Sequence, residues 1–416
     1  MWSVEGVRLQ INQHPSSPDA NGRLSQLHAG NQSSKVTLSS NLPHQYLPKI
    51  SKKNDQPMLH ISPETPLPRA VEVMSVSPDR PLSDRIRIRQ NVRPPLAPKE
   101  VRIGMLAMNI LPADLLQMDQ QYGHQPSLPY VPGHEGVAFV LETGSEVSDL
   151  KMGERVLPIG VFGVWSDELV VQRRSLISVS SNANVLQQAM LTANPATAWV
   201  LLKHQVTILP GHWVIQNAAN SALGQCIRQI ASHLGINLIN VVRRSEAVAV
   251  EEGGHWLVDD GQDPDLLKEG VRKITNGEPI VLGLDAIGGR ASQALAASLS
   301  QKGRLVLFGL LSGKPSCVSP HDLIFRSIEV QGFWLANWFS NPSNRHLAKT
   351  IYPSLTELAD QNVLRMAVEK VYELSDAVEA ILHSAQAGRK GKVLLKGMHF
   401  AGDNLNKNSD ILPSFT

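Results

Sequence analysis

The chain reads as an α/β protein made of a β-barrel-like domain and a doubly wound parallel sheet, and three observations carry that reading. From Pro66 to about Leu191, short strand-like runs separated by Gly and Pro recur: EVRIGMLAM, GVAFVLETG, ERVLPIGVF and WSDELVV. Such runs belong to an all-β, barrel-like domain. From about Thr192 strand and helix alternate through WVIQ, PIVLGLDAIGG, ASQALAASL, GRLVLFGLL and SIEVQGFWL, the pattern of a parallel sheet with covering helices. The length of 416 residues exceeds a single ordinary core and fits two or three domains.

Residues 1–65 are rich in Ser, Asn, Gln, His and Pro without sustained period, and predict a flexible extension. The stretch is poor in acid and rich in serine, as organelle transit peptides are, but arginines are few and no amphipathic face is apparent. A cytoplasmic location is therefore expected, with the mitochondrial matrix as the alternative. The barrel-like part spans 66–191 and the parallel sheet 192–340. Residues 341–397 return to the first domain through helical runs in HLAKTIYPSLTELA and SDAVEAILHSAQ, then the strand KVLLK, which needs a host sheet. Residues 398–416 read as a tail.

Composition excludes several classes of function. A net charge of +2 provides no broad field for nucleic acid or an anionic membrane. Two cysteines, Cys226 and Cys317, exclude a disulfide framework or a four-cysteine zinc lobe and fit a reducing compartment. No apolar stretch reaches the roughly 18 residues of a spanning helix, and no signal-peptide core opens the chain, so a soluble, non-secreted protein is expected.

Residues 213–245 hold the densest signal. Trp213 to Ile215 forms a short buried strand that stops at the small polar cluster Asn217 to Ser221. In the helix that follows, Leu223, Ile227, Ile230, Ala231 and Leu234 share a face, and Gly235 stands where a left-handed cap belongs. Ile236 to Val242 is the next strand. A helix opening directly after a tight turn offers free N–H groups and a positive dipole end to a pyrophosphate. Set against G-x-G-x-x-G, the turn reads Ala219-Asn220-Ser221-Ala222-Leu223-Gly224 and keeps only the third glycine. At the end of the second strand, where an NAD site places an acid, stand Arg243 and Arg244. Guanidinium forks match a phosphate monoester and predict NADPH over NADH; the bare alternative is a solvated charge pair.

These residues, with LPADLLQMDQQYGHQPSLPYVPGHEGVAFVLETGSEV, NPATAW, DAIGG and GFWLANW, resemble the medium-chain dehydrogenase/reductase superfamily over residues 66–397. Within it they are most similar to the mitochondrial-type 2-enoyl thioester reductases. The resemblance implies a GroES-like β-barrel catalytic domain, an inserted Rossmann domain, and NADPH-dependent reduction of enoyl-CoA or enoyl-acyl-carrier-protein thioesters. It also bears on zinc. Gly133-His134-Glu135 survives, but the position of the zinc cysteine, three before Asp114, is Leu111, so no metal is expected and His134 reads as a packed or hydrogen-bonded loop histidine.

By the same resemblance Tyr122 is the catalytic residue. Hydride addition to the β carbon builds an enolate, which a neutral phenol can both hydrogen-bond and protonate. His124 is a weaker candidate. Asn194 matches a residue near the nicotinamide, although as a bare sequence feature it reads as a helix N-cap before Pro195. Asn220, Ser221, Ala222 and Leu223 are expected at the pyrophosphate, Arg243 and Arg244 at the ribose phosphate, and Phe308, Gly309, Leu310 and Leu311 along the nicotinamide. Phe333, Trp334 and Leu335 are expected to border the cleft, and Lys392 to approach the cofactor, where a lone lysine would otherwise be a surface charge. A zinc-independent quinone or α,β-unsaturated carbonyl reductase is the alternative activity, and an NADPH-binding sensor without catalysis is a third class. The resemblance also implies a homodimer, the Rossmann sheets of two subunits joined edge to edge through the SIEVQGFWL strand region, whose edge would otherwise stand unpaired.

Overall fold

The computed structural model describes residues 66–180, 183–245, 254–259 and 264–400. The expected flexible extension, and the tail beyond residue 400, lie outside them.

The strand-rich part supplies β1 (Arg69–Val73), β2 (Ile86–Gln90), β3 (Glu100–Asn109), β4 (Gly136–Thr143), β5 (Arg155–Pro158), β6 (Glu168–Gln172) and β7 (Leu176–Ser178). β1 and β2 pair antiparallel as a separate ladder. β3 is the spine of the other sheet, buried from Val101 to Asn109 on both faces, which accounts for its almost unbroken apolar sequence. One edge of β3 carries β4 along nearly its whole length. The other is divided: Glu100 to Gly104 pair with β6, and Ala107 to Asn109 with a strand from the far end of the chain.

β8 (Trp213–Gln216), β9 (Asn237–Val242), β10 (His255–Val258), β11 (Ile280–Asp285), β12 (Arg304–Leu307) and β13 (Glu329–Gly332) form a six-stranded sheet. All its pairings are parallel, in the order β10-β9-β8-β11-β12-β13. This is the doubly wound order, and its direction reverses between β8 and β11, where open α/β sheets leave a crevice. Three expected strands are shorter than their apolar runs. ERVLPIGVF yields only Arg155–Pro158, in the antiparallel sheet, while GRLVLFGLL ends at Leu307 and SIEVQGFWL at Gly332, where the chain leaves the carboxyl ends of the parallel strands.

β14 (Val368–Glu373) and β15 (Lys392–Lys396) complete the first sheet, with β15 lying parallel to β14 and antiparallel to β3. KVLLK thus finds its host in the β domain. One apolar core joins the two parts: Leu106, Ala107 and Val137 of the first sheet pack in the same cluster as Val214, Leu282 and Val306 of the second, with helix Asn194–His204 among them.

Candidate active site

The helix after β8 spans Ala222–His233 and buries Gly224, Cys226, Ile227, Ile230 and Ala231; Leu223 and Leu234 are half-buried flanks of that face. Ser221 caps it, its hydroxyl accepting from Gly224 N at 3.0 Å. Gly235 takes the expected left-handed conformation at φ +66. The one retained glycine has a steric cause, since a Cβ on Gly224 would stand 2.6 Å from the Ala219 oxygen and 2.7 Å from that of Ala218. Ala218 itself carries φ +47, so the turn keeps its tight course without the missing glycines.

Across the crevice, Asn217 at the end of β8 donates to Asp285 at the end of β11 at 2.7 Å and accepts from Ala286 N at 2.8 Å. Asp285 also takes the Ile287 and Gly288 N–H groups and the Ser292 hydroxyl. The pair staples together the two strands at which the sheet changes direction. Arg243 and Arg244 follow β9 and are exposed, and neither meets a carboxylate among the described residues. Phe308 to Leu311 leave β12 over the same end, with Leu310 and Leu311 largely exposed. Gly309 packs so closely on the Ala286 backbone that no side chain fits there.

Tyr122 stands in the loop after helix Pro112–Met118, half-buried. Trp334 Nε1 donates to its hydroxyl at 2.8 Å, and the two rings meet edge to face with centroids 5.5 Å apart. Trp334 is the cap of helix Leu335–Ser340, just past β13, so this bond joins the two halves of the chain. Phe333 to Leu335 therefore border the cleft from a strand-to-helix junction rather than from the strand itself. Burial raises the Tyr122 pKa, the Trp334 hydrogen bond opposes that, and the Asp114 charge adds to it. The phenol is neutral at physiological pH. His124 is exposed and engages the fold through its carbonyl, which accepts from Gln117.

Asn194 lies inside its helix, after Ala193 as the cap, and its side chain caps nothing. The N-cap reading of Asn194 is thereby corrected: the N–H preceding it, on Ala193, is taken at 2.6 Å by Glu135, which arrives from the β domain. Glu135 is fully buried, and its other oxygen accepts from Asn109 at 2.7 Å. Burial raises its pKa, opposed by Asn109, Lys392 and Ala193. Lys392, at 7% exposure, is no surface charge. Burial lowers its pKa, and the nearby Glu135 pushes it back up. Neither Glu135 nor Asn109 was legible as a site residue; the only signal was the Gly133-His134-Glu135 string itself.

His134 Nδ1 lies 2.6 Å from Asp114 Oδ1. Leu111 N donates to the second oxygen of Asp114 at 2.8 Å. A zinc donor set does not fit here. The neighbouring position is Leu111, which cannot ligate, so His134 would be a lone ligand, and Cys226 is buried in the helix after β8. Among the described residues no three His, Cys, Asp or Glu side chains are grouped to hold a metal ion.

Two family models match the chain, one described as the alcohol dehydrogenase GroES-like domain over residues 97–181 and one as zinc-binding dehydrogenase over residues 222–350. The mitochondrial enoyl-[acyl-carrier-protein] reductase of Xenopus tropicalis is 37% identical over 58% of this chain and 71% of its own. That of Dictyostelium discoideum is 32% identical over 74% and 89%. Three solved structures, each covering 79% of this chain and 99% of its own, superpose with a TM-score of 0.70. They are a complex of the reductase Etr1p with NADP and crotonyl-CoA (25% identical), the Candida tropicalis mitochondrial 2-enoyl thioester reductase heterodimer Etr1p/Etr2p (26%), and a putative NADPH:quinone reductase of Bacillus thuringiensis (29%). The fold and cleft are those of the medium-chain dehydrogenase/reductase superfamily, and within it the chain belongs to the family of mitochondrial enoyl-[acyl-carrier-protein] reductases.

Proposed function

We propose that this protein reduces the C2–C3 double bond of 2-enoyl thioesters with NADPH, without zinc, in reactions of the fatty-acid-synthesis type. The observation that carries the reading is the Tyr122 hydroxyl, held by the Trp334 N–H at the mouth of a dinucleotide crevice. NADPH, when bound, supplies a hydride to the β carbon. The chain's own groups do the rest. Backbone N–H groups from Asn220 to Leu223, at the positive end of helix Ala222–His233, hold the pyrophosphate. Arg243 and Arg244 take the ribose 2′-phosphate, whose charge an acidic pair would repel. Asn194, Lys392 and the Phe308–Leu311 segment surround the nicotinamide, and Phe333, Trp334 and Leu335 wall the acyl side.

Tyr122 then meets the negative charge that builds on the substrate. Because the Trp334 N–H donates into the phenol oxygen, the phenol's own proton is left to go to the α carbon, and the remaining phenolate keeps one donor. Measuring NADPH oxidation with crotonyl-CoA and with a simple quinone side by side tests this. Clear preference for the thioester is expected, and preference for the quinone would overturn it. The quinone reading is retained as the alternative, supported by the Bacillus thuringiensis structure.

The relatives are named as mitochondrial proteins, which favours the mitochondrial matrix over the cytoplasmic expectation. Among the described residues no helix is long and apolar enough to cross a membrane. A homodimer is proposed through β13. It is the outer strand of its sheet and all four of its residues are exposed, and Ile324 and Phe325 on the helix that precedes it in the chain are 66% and 69% exposed. An unpaired strand edge is normally covered. Light scattering at micromolar concentration should give twice the chain mass, and a monomer would overturn the assignment.

A further inference from the structure

Beside Tyr122 lies a second acid–base element that the reduction scheme leaves unused. His134 follows Gly133, which sits at φ +105 where any side chain would collide with Trp165, so the backbone course that aims the histidine is fixed. Asp114 is fully buried and held on both sides, by the His134 ring at 2.6 Å and by Leu111 N–H at 2.8 Å. A carboxylate only accepts, so Nδ1 carries the hydrogen and Nε2 is left as the nitrogen that exchanges protons. Among the described residues Nε2 has no hydrogen-bond partner, and the ring keeps 24% exposure. It packs edge-on to Tyr122 with centroids 5.5 Å apart and is closed off on another side by Phe162 at 5.0 Å.

The ionisable groups around the ring are few. Asp114 comes from the helix before the Tyr122 loop, and Tyr122 from the loop itself. Glu135, next in the chain, turns away to Asn109 and Ala193, with Lys392 coupled to it. Tyr130 stands beyond Phe162.

We propose that the Asp114–His134 pair returns a proton to Tyr122 after each turnover. This rests on Tyr122 being the proton donor. In the reduction the phenol O–H bond breaks as the α C–H bond forms, which leaves a phenolate. The indole of Trp334 steadies that phenolate but has no proton of useful acidity to give. The imidazolium of His134 does: its Nε2–H bond breaks, the proton passes through a bridging water, the phenol O–H bond re-forms, and hydronium or a buffer acid from solvent at the exposed ring edge protonates Nε2 again. Asp114 is the positioning residue, keeping hydrogen on Nδ1 so that Nε2 faces the exchange.

The test separates one turnover from many. In the His134→Gln variant, a single turnover with enzyme in excess over crotonyl-CoA should proceed within about twofold of the unaltered rate. Steady-state turnover above neutral pH should fall by about tenfold or more, less than the roughly hundredfold or more of an acid acting in the chemical step itself, and added imidazole should restore it. Asp114→Asn, which keeps the shape of the side chain, should show the same split. Unchanged steady-state turnover in both variants overturns the proposal. So does a parallel fall of single and multiple turnovers, or a loss that imidazole does not rescue. Tyr122→Phe, run alongside, should lose the single turnover itself. If it does not, the donor assignment falls on its own arm. If it does while His134→Gln stays normal, only the proton return falls.

Discussion

At the Ala218–Gly224 turn, the groups that the proposed function offers to a ligand are backbone N–H groups fixed by a short local stretch; at Tyr122 they are side chains gathered from Asp114, Tyr122, His134 and Trp334, far apart in the chain. The first region keeps its geometry although two of three glycines are replaced, because only the direction of the backbone is functional there. The second region has no such tolerance. In the proposed mechanism its proton donor is one hydroxyl held by one indole N–H, and nothing local duplicates either.

The sharpest way to break that comparison is Tyr122→Phe. The ring and its edge contacts remain, so folding and NADPH binding should survive while turnover with an enoyl thioester drops by about a hundredfold or more, roughly 2.7 kcal/mol of barrier. The loss should fall on kcat rather than KM, since the hydroxyl matters most as charge develops. Near-normal turnover would move the donor role to another group. Next in size is Arg243→Asp. Losing charge-assisted contacts to a phosphate monoester should raise KM for NADPH by about tenfold or more and leave NADH nearly untouched; equal use of both cofactors by the unaltered protein would remove the basis for it.

Trp334→Phe sharpens the comparison from the opposite side of the cleft. It removes the donor that holds the Tyr122 pKa down against burial, so the phenol should titrate higher, visible in its ultraviolet difference spectrum, and turnover should fall by about tenfold. An unshifted titration would disconnect the indole from the phenol's acidity. The smallest expected effect is that of a chelator. With Leu111 where a ligand would be needed and no group of three His, Cys, Asp or Glu side chains among the described residues, activity should be unchanged after chelation and metal analysis should find no stoichiometric zinc.

The same contrast separates what the sequence made legible from what it hid. The helix after β8, its glycine cap and the turn before it follow from local periodicity and steric demand, so they are readable one stretch at a time. That KVLLK must join a sheet was readable too, but not that it pairs with β14 and β3. β14 was missed because its sequence, VEKVYE, has no buried residue and so shows no apolar run. The buried set of Asn109, Glu135 and Lys392 was hidden for another reason: burial depends on what covers a residue, and Lys392 comes from the far end of the chain. Lys392 would have passed for a surface charge on its sequence alone. Trp334 was readable as a cleft residue, while its hydrogen bond to Tyr122 was not, since no spacing rule links positions so remote.

The placement of β15 between β14 and β3 has a consequence for synthesis. Until residue 396 has left the ribosome, the second edge of β3 is half bare and Glu135 faces the interior without the one lysine whose charge offsets its own. The parallel sheet can close long before that, because all its strands precede residue 333. A chain truncated before Lys392 should therefore carry every strand of the parallel sheet while one stretch of the β3 edge and the Glu135 carboxylate lack their partners from β15.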